Sequence, residues 1–339
     1  MEHLLPIPAR LSVLGRSLRA GQDTDAPGQL PVLEEGDMQL SPEQRFAKLA
    51  RWTNPPSKAE EERLERARRM VTRAVQQHPQ FADLGLSVEA KGSWANNTNV
   101  SRDSDVDIKV EFTQRAYQGS SASGMSFWEL ALHPNSYKGP WTPEAFRQEL
   151  GVALKGVSSA VDATHNVAFY VPDVPGSRPS TDVVPCFTYL HQRGWGRPTQ
   201  GTVVFTKDGH HIVNWSHQQL INGREKNKST NHRYKFAVRA LKAIENDLVQ
   251  LGKIEDLPSY FMECLIYNVP DSVLTAGSLD TAFKGALTHL RQQFSYWWGN
   301  PDALVEPNEI KKLFQSGQKW KTDDARRLLN AAWHYLNYG

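Results

Sequence analysis

Hydrophobic and polar positions change period twice along the chain. From Ser57 onward, Leu64, Ala67, Val71 and Ala74 recur at alternating three- and four-residue steps, the buried stripe of a helix. Ser57 and Glu60 form a capping-box pattern at its start, each side chain able to satisfy a backbone N–H of the opening turn. The Glu and Arg residues between the apolar positions read as its solvated face. A shorter helix is predicted after Ser41, and Pro55-Pro56 breaks the chain between the two.

From Leu86 to about Thr206 the texture becomes one of short strands, predicted near 86–90, 104–112, 160–171, 181–188 and 202–206. Thr142-Pro143-Glu144 predicts a helix start between the second and third strands: a cap, a first-turn proline and a dipole-matched acid. Beyond Asn214 the helical period dominates to Tyr338, with Gly and Pro marking breaks. The pattern predicts an α+β protein, with a mixed α/β lobe over 41–213 and a mostly helical lobe over 214–339. Residues 21–38 mix Gly, Pro and acids with little period, so residues 1–40 read as a flexible N-terminal tail.

A length of 339 residues suits two lobes. The 39 basic residues nearly balance 37 acidic ones, which argues against a protein that coats long nucleic acid and leaves room for a local site serving a small polyanion. Cys186 and Cys264 sit in apolar contexts and read as buried thiols in a reducing compartment. No apolar run approaches the roughly 20 residues needed to span a bilayer. Pro6, Pro8 and Arg10 interrupt the N-terminal segment, a poor secretory signal. These features predict a cytoplasmic protein without a membrane partner; a targeting or docking peptide is the other reading of the tail.

The chemistry concentrates in Lys91–Val110. In the strand predicted there, Asp105 and Asp107 fall on one face and Val106, Ile108 and Val110 on the other. Neighbouring carboxylates repel unless a cation lies between them, and hard oxygen donors suit Mg²⁺ or Mn²⁺. Upstream, Gly92 permits close approach of a phosphate and Ser93 adds a hydroxyl donor. A lone Asp-x-Asp is a solvated turn or a calcium loop as often as not; the Gly-Ser pair twelve residues before it makes the combination specific. Asp182 opens a strongly apolar strand, where an isolated acid is usually an edge charge. Beside the other two it becomes the third carboxylate of a set able to hold two cations.

The pattern Gly-Ser…Asp-x-Asp…Asp resembles the polymerase β-like nucleotidyltransferases. The string GSWANNTNVSRDSDVDIKV resembles the bacterial CD-NTase family, relatives of cyclic GMP–AMP synthase and oligoadenylate synthase that act in CBASS anti-phage systems. The likeness spans roughly residues 45–338 and rests on Trp94 and Asn97–Val100 as well as the acids. It implies a polymerase β-like lobe, a helical lobe and an active site in the cleft between them. Catalytic and metal roles would fall to Asp105, Asp107 and Asp182, with two Mg²⁺ ions for which Mn²⁺ can substitute. The substrates would be nucleoside triphosphates and the product a cyclic di- or trinucleotide, with no requirement for long nucleic acid.

Downstream, Lys235, Arg239 and Lys242 share a helix face by spacing, which reads either as a solvated basic face or as a phosphate contact. The resemblance assigns a triphosphate contact to Lys242, a second to Ser259 and base stacking to Tyr260; packing in the helical core is the other reading of Tyr260. His217, Lys226 and Asn227 match a family pattern without a derivable role. The resemblance also implies an effector, and conjugation or regulatory proteins, as partners. Gly339 is either a conjugation point or a helix end. Two other functions fit the residues: nucleotidyl transfer to RNA, protein or a small molecule without cyclisation, and a silent nucleotide-binding scaffold.

Overall fold

The structure, a computed structural model, describes residues 39–54, 57–100, 105–119, 130–192, 197–295 and 297–339; all but the last two residues of the predicted tail lie outside them. The first elements are α1 (Pro42–Trp52), α2 (Lys58–Gln77), β1 (Leu86–Ala90), α3 (Gly92–Ala95), β2 (Val106–Gly119), β3 (Ala131–Leu132) and α4 (Pro143–Lys155). Then come β4 (Phe169–Val171), β5 (Thr181–His191), β6 (Thr199–Phe205) and β7 (His211–Asn214). The remainder is helical: α5 (Ser216–Ser229), α6 (Arg233–Gln250), α7 (Ser259–Tyr267), α8 (Asp271–Leu274), α9 (Leu279–Gln293) and α10 (Thr322–Tyr335). The capping boxes at Ser41 and Ser57 are both formed, and the Thr142 hydroxyl caps α4. Among the described residues, no helix is long and apolar enough to cross a membrane.

The sheet runs β1-β2-β5-β6-β7, with β3 on β2 and β4 on β5. β2 and β5 are parallel and the other pairs antiparallel. Alternation along β2 sends Val106, Ile108, Val110 and Phe112 into a fully buried layer beneath α2 and α4. Asp107, Lys109 and Glu111 consequently face the opposite side, where no helix of that layer lies.

Some strands differ from their predicted extents for local reasons. β2 runs on to Gly119 because a register shift between Phe112 and Ala116 lets pairing resume after the alternation is lost. The strand predicted over 160–171 is cut to Phe169–Val171, since Asp162 turns the chain by accepting from the Thr164 N–H at 2.7 Å. His211 opens β7, a strand beyond the predicted ones, and pairs with Phe205.

A second core joins α6, α7, α9 and α10. Leu40 and Leu49 belong to this helical core. α1 therefore packs on the helical lobe, although its sequence position grouped it with the sheet. Two ion pairs hold it there: Arg45 pairs with Asp280 at 2.9 Å and Lys48 with Asp247 at 2.6 Å.

The lobes are tied by buried polar contacts. Arg239, 2% exposed, donates Nε to Thr53 O at 3.1 Å and Nη1 to Asn97 O at 2.8 Å. The solvated reading of this side chain is therefore wrong: the face it shares is covered by α1's end and by the loop after α3. Lys311 reaches across to Val213 O at 2.7 Å. Arg239→Leu should leave the Thr53 and Asn97 carbonyls unpaired and destabilise the protein by about 1–3 kcal/mol; an unchanged urea midpoint would count against the contact.

Candidate active site

The parallel pairing of β2 and β5 sets Asp107 directly opposite Asp182. Asp105 precedes β2 by one residue, and its carboxylate accepts from the Ser180 hydroxyl just before β5. Asp182 thus meets two acids from a remote part of the sequence at the entry of two adjacent strands. Burial, then the charges of Asp107 and Asp105, pushes the Asp182 carboxyl up to about 6. Lys91 is the nearby cation that opposes this, its Nζ 4.0 Å from Asp107 Oδ1.

The Gly-Ser pair meets the acids from above. Gly92 adopts φ +69°, the left-handed region, and a Cβ there would lie 2.5 Å from Asp107 Oδ2. Glycine is required because the carboxylate occupies the space of a side chain. The Lys91 N–H donates to Asp107 O at 2.9 Å, which seats α3 on the strand. Ser93 follows in the first turn of α3.

Among the described residues, no three acidic, His or Cys side chains are gathered tightly enough to hold an ion unaided. Mg²⁺ is ordinarily held by one or two carboxylates together with waters and substrate phosphates. The donor set is all hard oxygen, its members repel one another, and one local ammonium leaves net negative charge. The residues fit divalent magnesium and suit a soft metal poorly.

The helical lobe contributes unevenly. Ser259 is exposed as the first residue of α7. Tyr260 is half-buried, its hydroxyl donating to Glu306 Oε2 at 3.2 Å and its ring edge-on to Trp320 at 6.2 Å. The packing reading of Tyr260 holds, since the ring packs against the helical core. Lys242 is 2% exposed, and its Nζ donates to Thr98 Oγ1 at 3.3 Å. Burial pulls its ammonium down to about 8, while Glu263 and, more weakly, Asp107 favour the charge. Lys235 is half-buried on the same face.

Residues without a role in the sequence acquire structural ones. Asn227 Oδ1 accepts from the Lys235 N–H at 3.1 Å, bracing the start of α6. Lys226 pairs with Asp271 at 2.8 Å and donates to Val269 O. His217 is exposed on α5. Cys186 and Cys264 are free, buried thiols, and burial pushes Cys186 up to about 12, far from a nucleophile's range. Sequence reasoning missed Glu263 and Glu306, both buried acids. A lone glutamate within the apolar run Phe261–Ile266 was the available signal for the first.

Comparison with known proteins decides the family. A cyclic dipyrimidine nucleotide synthase of Legionella pneumophila is 33% identical over 306 residues, covering 88% of this chain and 99% of that protein. The chain belongs to the CD-NTase family. Residues 221–337 match the cGAS/DncV-like nucleotidyltransferase C-terminal helical domain. A CD-NTase of Cecembia lonarensis, also a cyclic dipyrimidine nucleotide synthase, is 27% identical over 86% of this chain and 97% of its own length. The solved CdnE cyclic dinucleotide synthase of Elizabethkingia meningoseptica, with GTP and Apcpp, superposes with TM-score 0.71 at 25% identity, covering 86% and 98% of the two chains. Like these CD-NTases, the chain is a nucleotidyltransferase that synthesises cyclic oligonucleotides.

The raised carboxyl of Asp182 has a signed consequence. Its folded value lies above the ordinary 3.8, so the native protein binds that proton more tightly than the unfolded chain. Without divalent cations, stability should fall as pH rises from about 4 through about 6. In EDTA at pH 7.5, Asp182→Asn should then be more stable than the parent by about 1–3 kcal/mol, with the gain vanishing below pH 4. A variant no more stable at pH 7.5, measured by denaturant unfolding, contradicts the charge assignment.

Proposed function

We propose that this CD-NTase condenses two nucleoside triphosphates into a cyclic dinucleotide containing pyrimidine, at a site built on Asp105, Asp107 and Asp182. The carrying observation is the register of Asp107 against Asp182, with Gly92 folded over the first. The three acids would hold two Mg²⁺ ions, or Mn²⁺, which when bound activate the attacking hydroxyl and neutralise the leaving pyrophosphate. Gly92 and Ser93 receive the donor's phosphates from the sheet side, and Ser259 and Lys242 meet them from the helical side. Tyr260, its hydroxyl anchored on Glu306, offers its ring to a base; such stacking contributes about 1–3 kcal/mol and tolerates every base.

Asp182 stands beside the attacking ribose hydroxyl and accepts its proton. In-line attack on the α-phosphorus then expels pyrophosphate, and a second round on the turned linear intermediate closes the ring. Most of the acceleration comes from orientation and charge placement. The pyrimidine assignment is supported by the Legionella and Cecembia relatives, both cyclic dipyrimidine nucleotide synthases. We place the enzyme in the cytoplasm, its product a signal to an effector in anti-phage defence.

Purified protein with Mg²⁺ and pairwise mixtures of the four triphosphates should yield a phosphatase-resistant dinucleotide containing C or U by mass spectrometry. A purine-only product overturns the base assignment, and a phosphatase-sensitive one overturns cyclisation. Asp105→Ala combined with Asp107→Ala should abolish pyrophosphate release at an unchanged circular-dichroism spectrum. Retained release in that double variant refutes the metal-binding roles.

A further inference from the structure

Glu263 lies one helical turn after Ser259 on α7 and is 2% exposed. Its carboxylate collects donors from three elements. Oε1 accepts from Asn96 Nδ2 at 2.8 Å and from Gln219 Nε2 on α5 at 2.9 Å. Oε2 accepts from Thr98 Oγ1 at 3.2 Å, and the same hydroxyl accepts from Lys242 Nζ at 3.3 Å. Asn96 and Thr98 are 3% and 0% exposed, so water does not share these contacts.

The far side of the cluster touches the Gly-Ser pair. The Asn96 N–H donates to Gly92 O at 3.2 Å and the Thr98 N–H to Ser93 O at 2.8 Å. A continuous chain therefore runs from Gly92 and Ser93, through the turn ending α3, to Glu263 and Ser259. At its centre Asn96, Thr98, Lys242 and Glu263 are buried, where an unpaired carboxylate or ammonium is costly and the partners are correspondingly fixed.

Resting on the nucleotidyltransferase reading above, we infer that Glu263, with Thr98, is a positioning residue for the triphosphate: an inter-lobe latch that holds the Gly92-Ser93 loop in register with Ser259 and Lys242. Glu263 does not touch the reacting atoms. It sets the separation of two phosphate-contacting edges that belong to different lobes. Such a latch acts on the bound triphosphate equally before and during transfer, so its loss raises KM and leaves kcat nearly untouched. A residue that merely supports the fold would lower the active fraction, and hence apparent kcat, at constant KM.

The test compares the parent with Glu263→Gln, Thr98→Val and the double variant, with Mg²⁺ present. We expect each single change to raise KM for the triphosphate by about tenfold, with kcat within about threefold. The double variant should be no worse than the more severe single change, because both sever one chain. Inorganic tripolyphosphate, a competitor without a base, should lose affinity in parallel. An unchanged KM and tripolyphosphate affinity in either folded single variant overturns the latch, as does full additivity in the double. Should Glu263→Gln fail to fold, Thr98→Val, a near-isosteric change on the other side of the contact, decides alone. A parent protein that transfers no nucleotide would defeat the functional reading instead, and tripolyphosphate binding by the parent and variants would still read the latch.

Discussion

The organising constraint is electrostatic: a parallel strand pair brings Asp107 and Asp182 side by side, with Asp105 at the strand entry. Like charges so placed cost free energy unless something positive joins them. Burial first, and then the charges of Asp107 and Asp105, push the Asp182 carboxyl up to about 6, and one ammonium at 4.0 Å from Asp107 does not remove the shift. The buried aliphatic layer on the opposite face of β2 prevents the strand from relaxing the contact. Slipping the register by one residue would drive Val106 and Ile108 out of the core along with the acids. Stability of the sheet and the crowding of these carboxylates are thus two consequences of one alternation.

The second lobe supplies what the sheet lacks. Carboxylates alone repel a triphosphate, and in the proposed mechanism Lys242 of α6 and Ser259 of α7 supply the opposing donors. That division makes the relation between lobes a chemical variable. Buried polar groups, Arg239 on Thr53 and Asn97 and Glu263 on Asn96 and Thr98, set that relation. Directional bonds of this kind specify a unique arrangement where apolar packing would allow small slides. Both groups converge on Asn96–Thr98, the turn that carries the Gly-Ser loop.

Legibility from sequence followed the range of the interactions. Asp105 and Asp107 could be placed on one face because strand alternation is a local rule. Their meeting with Asp182 depended on a parallel pairing across more than seventy residues, which local period cannot express; there the family likeness supplied the link. Helix starts at Ser41, Ser57 and Thr142 were readable since capping is decided within four residues. Arg239 was not, because spacing shows which residues share a face but not what covers it. α1 was grouped with the wrong lobe for the same reason, and β7 escaped because four residues are too few to show a period.

The most direct test of this account is anomalous diffraction from crystals grown with Mn²⁺ and a nonhydrolysable nucleoside triphosphate. Two manganese peaks should appear about 3.5–4 Å apart, with oxygens of Asp105, Asp107 and Asp182 among their ligands. Manganese bound away from β2 and β5, or a pair of ions that leaves Asp182 uncoordinated, would contradict it.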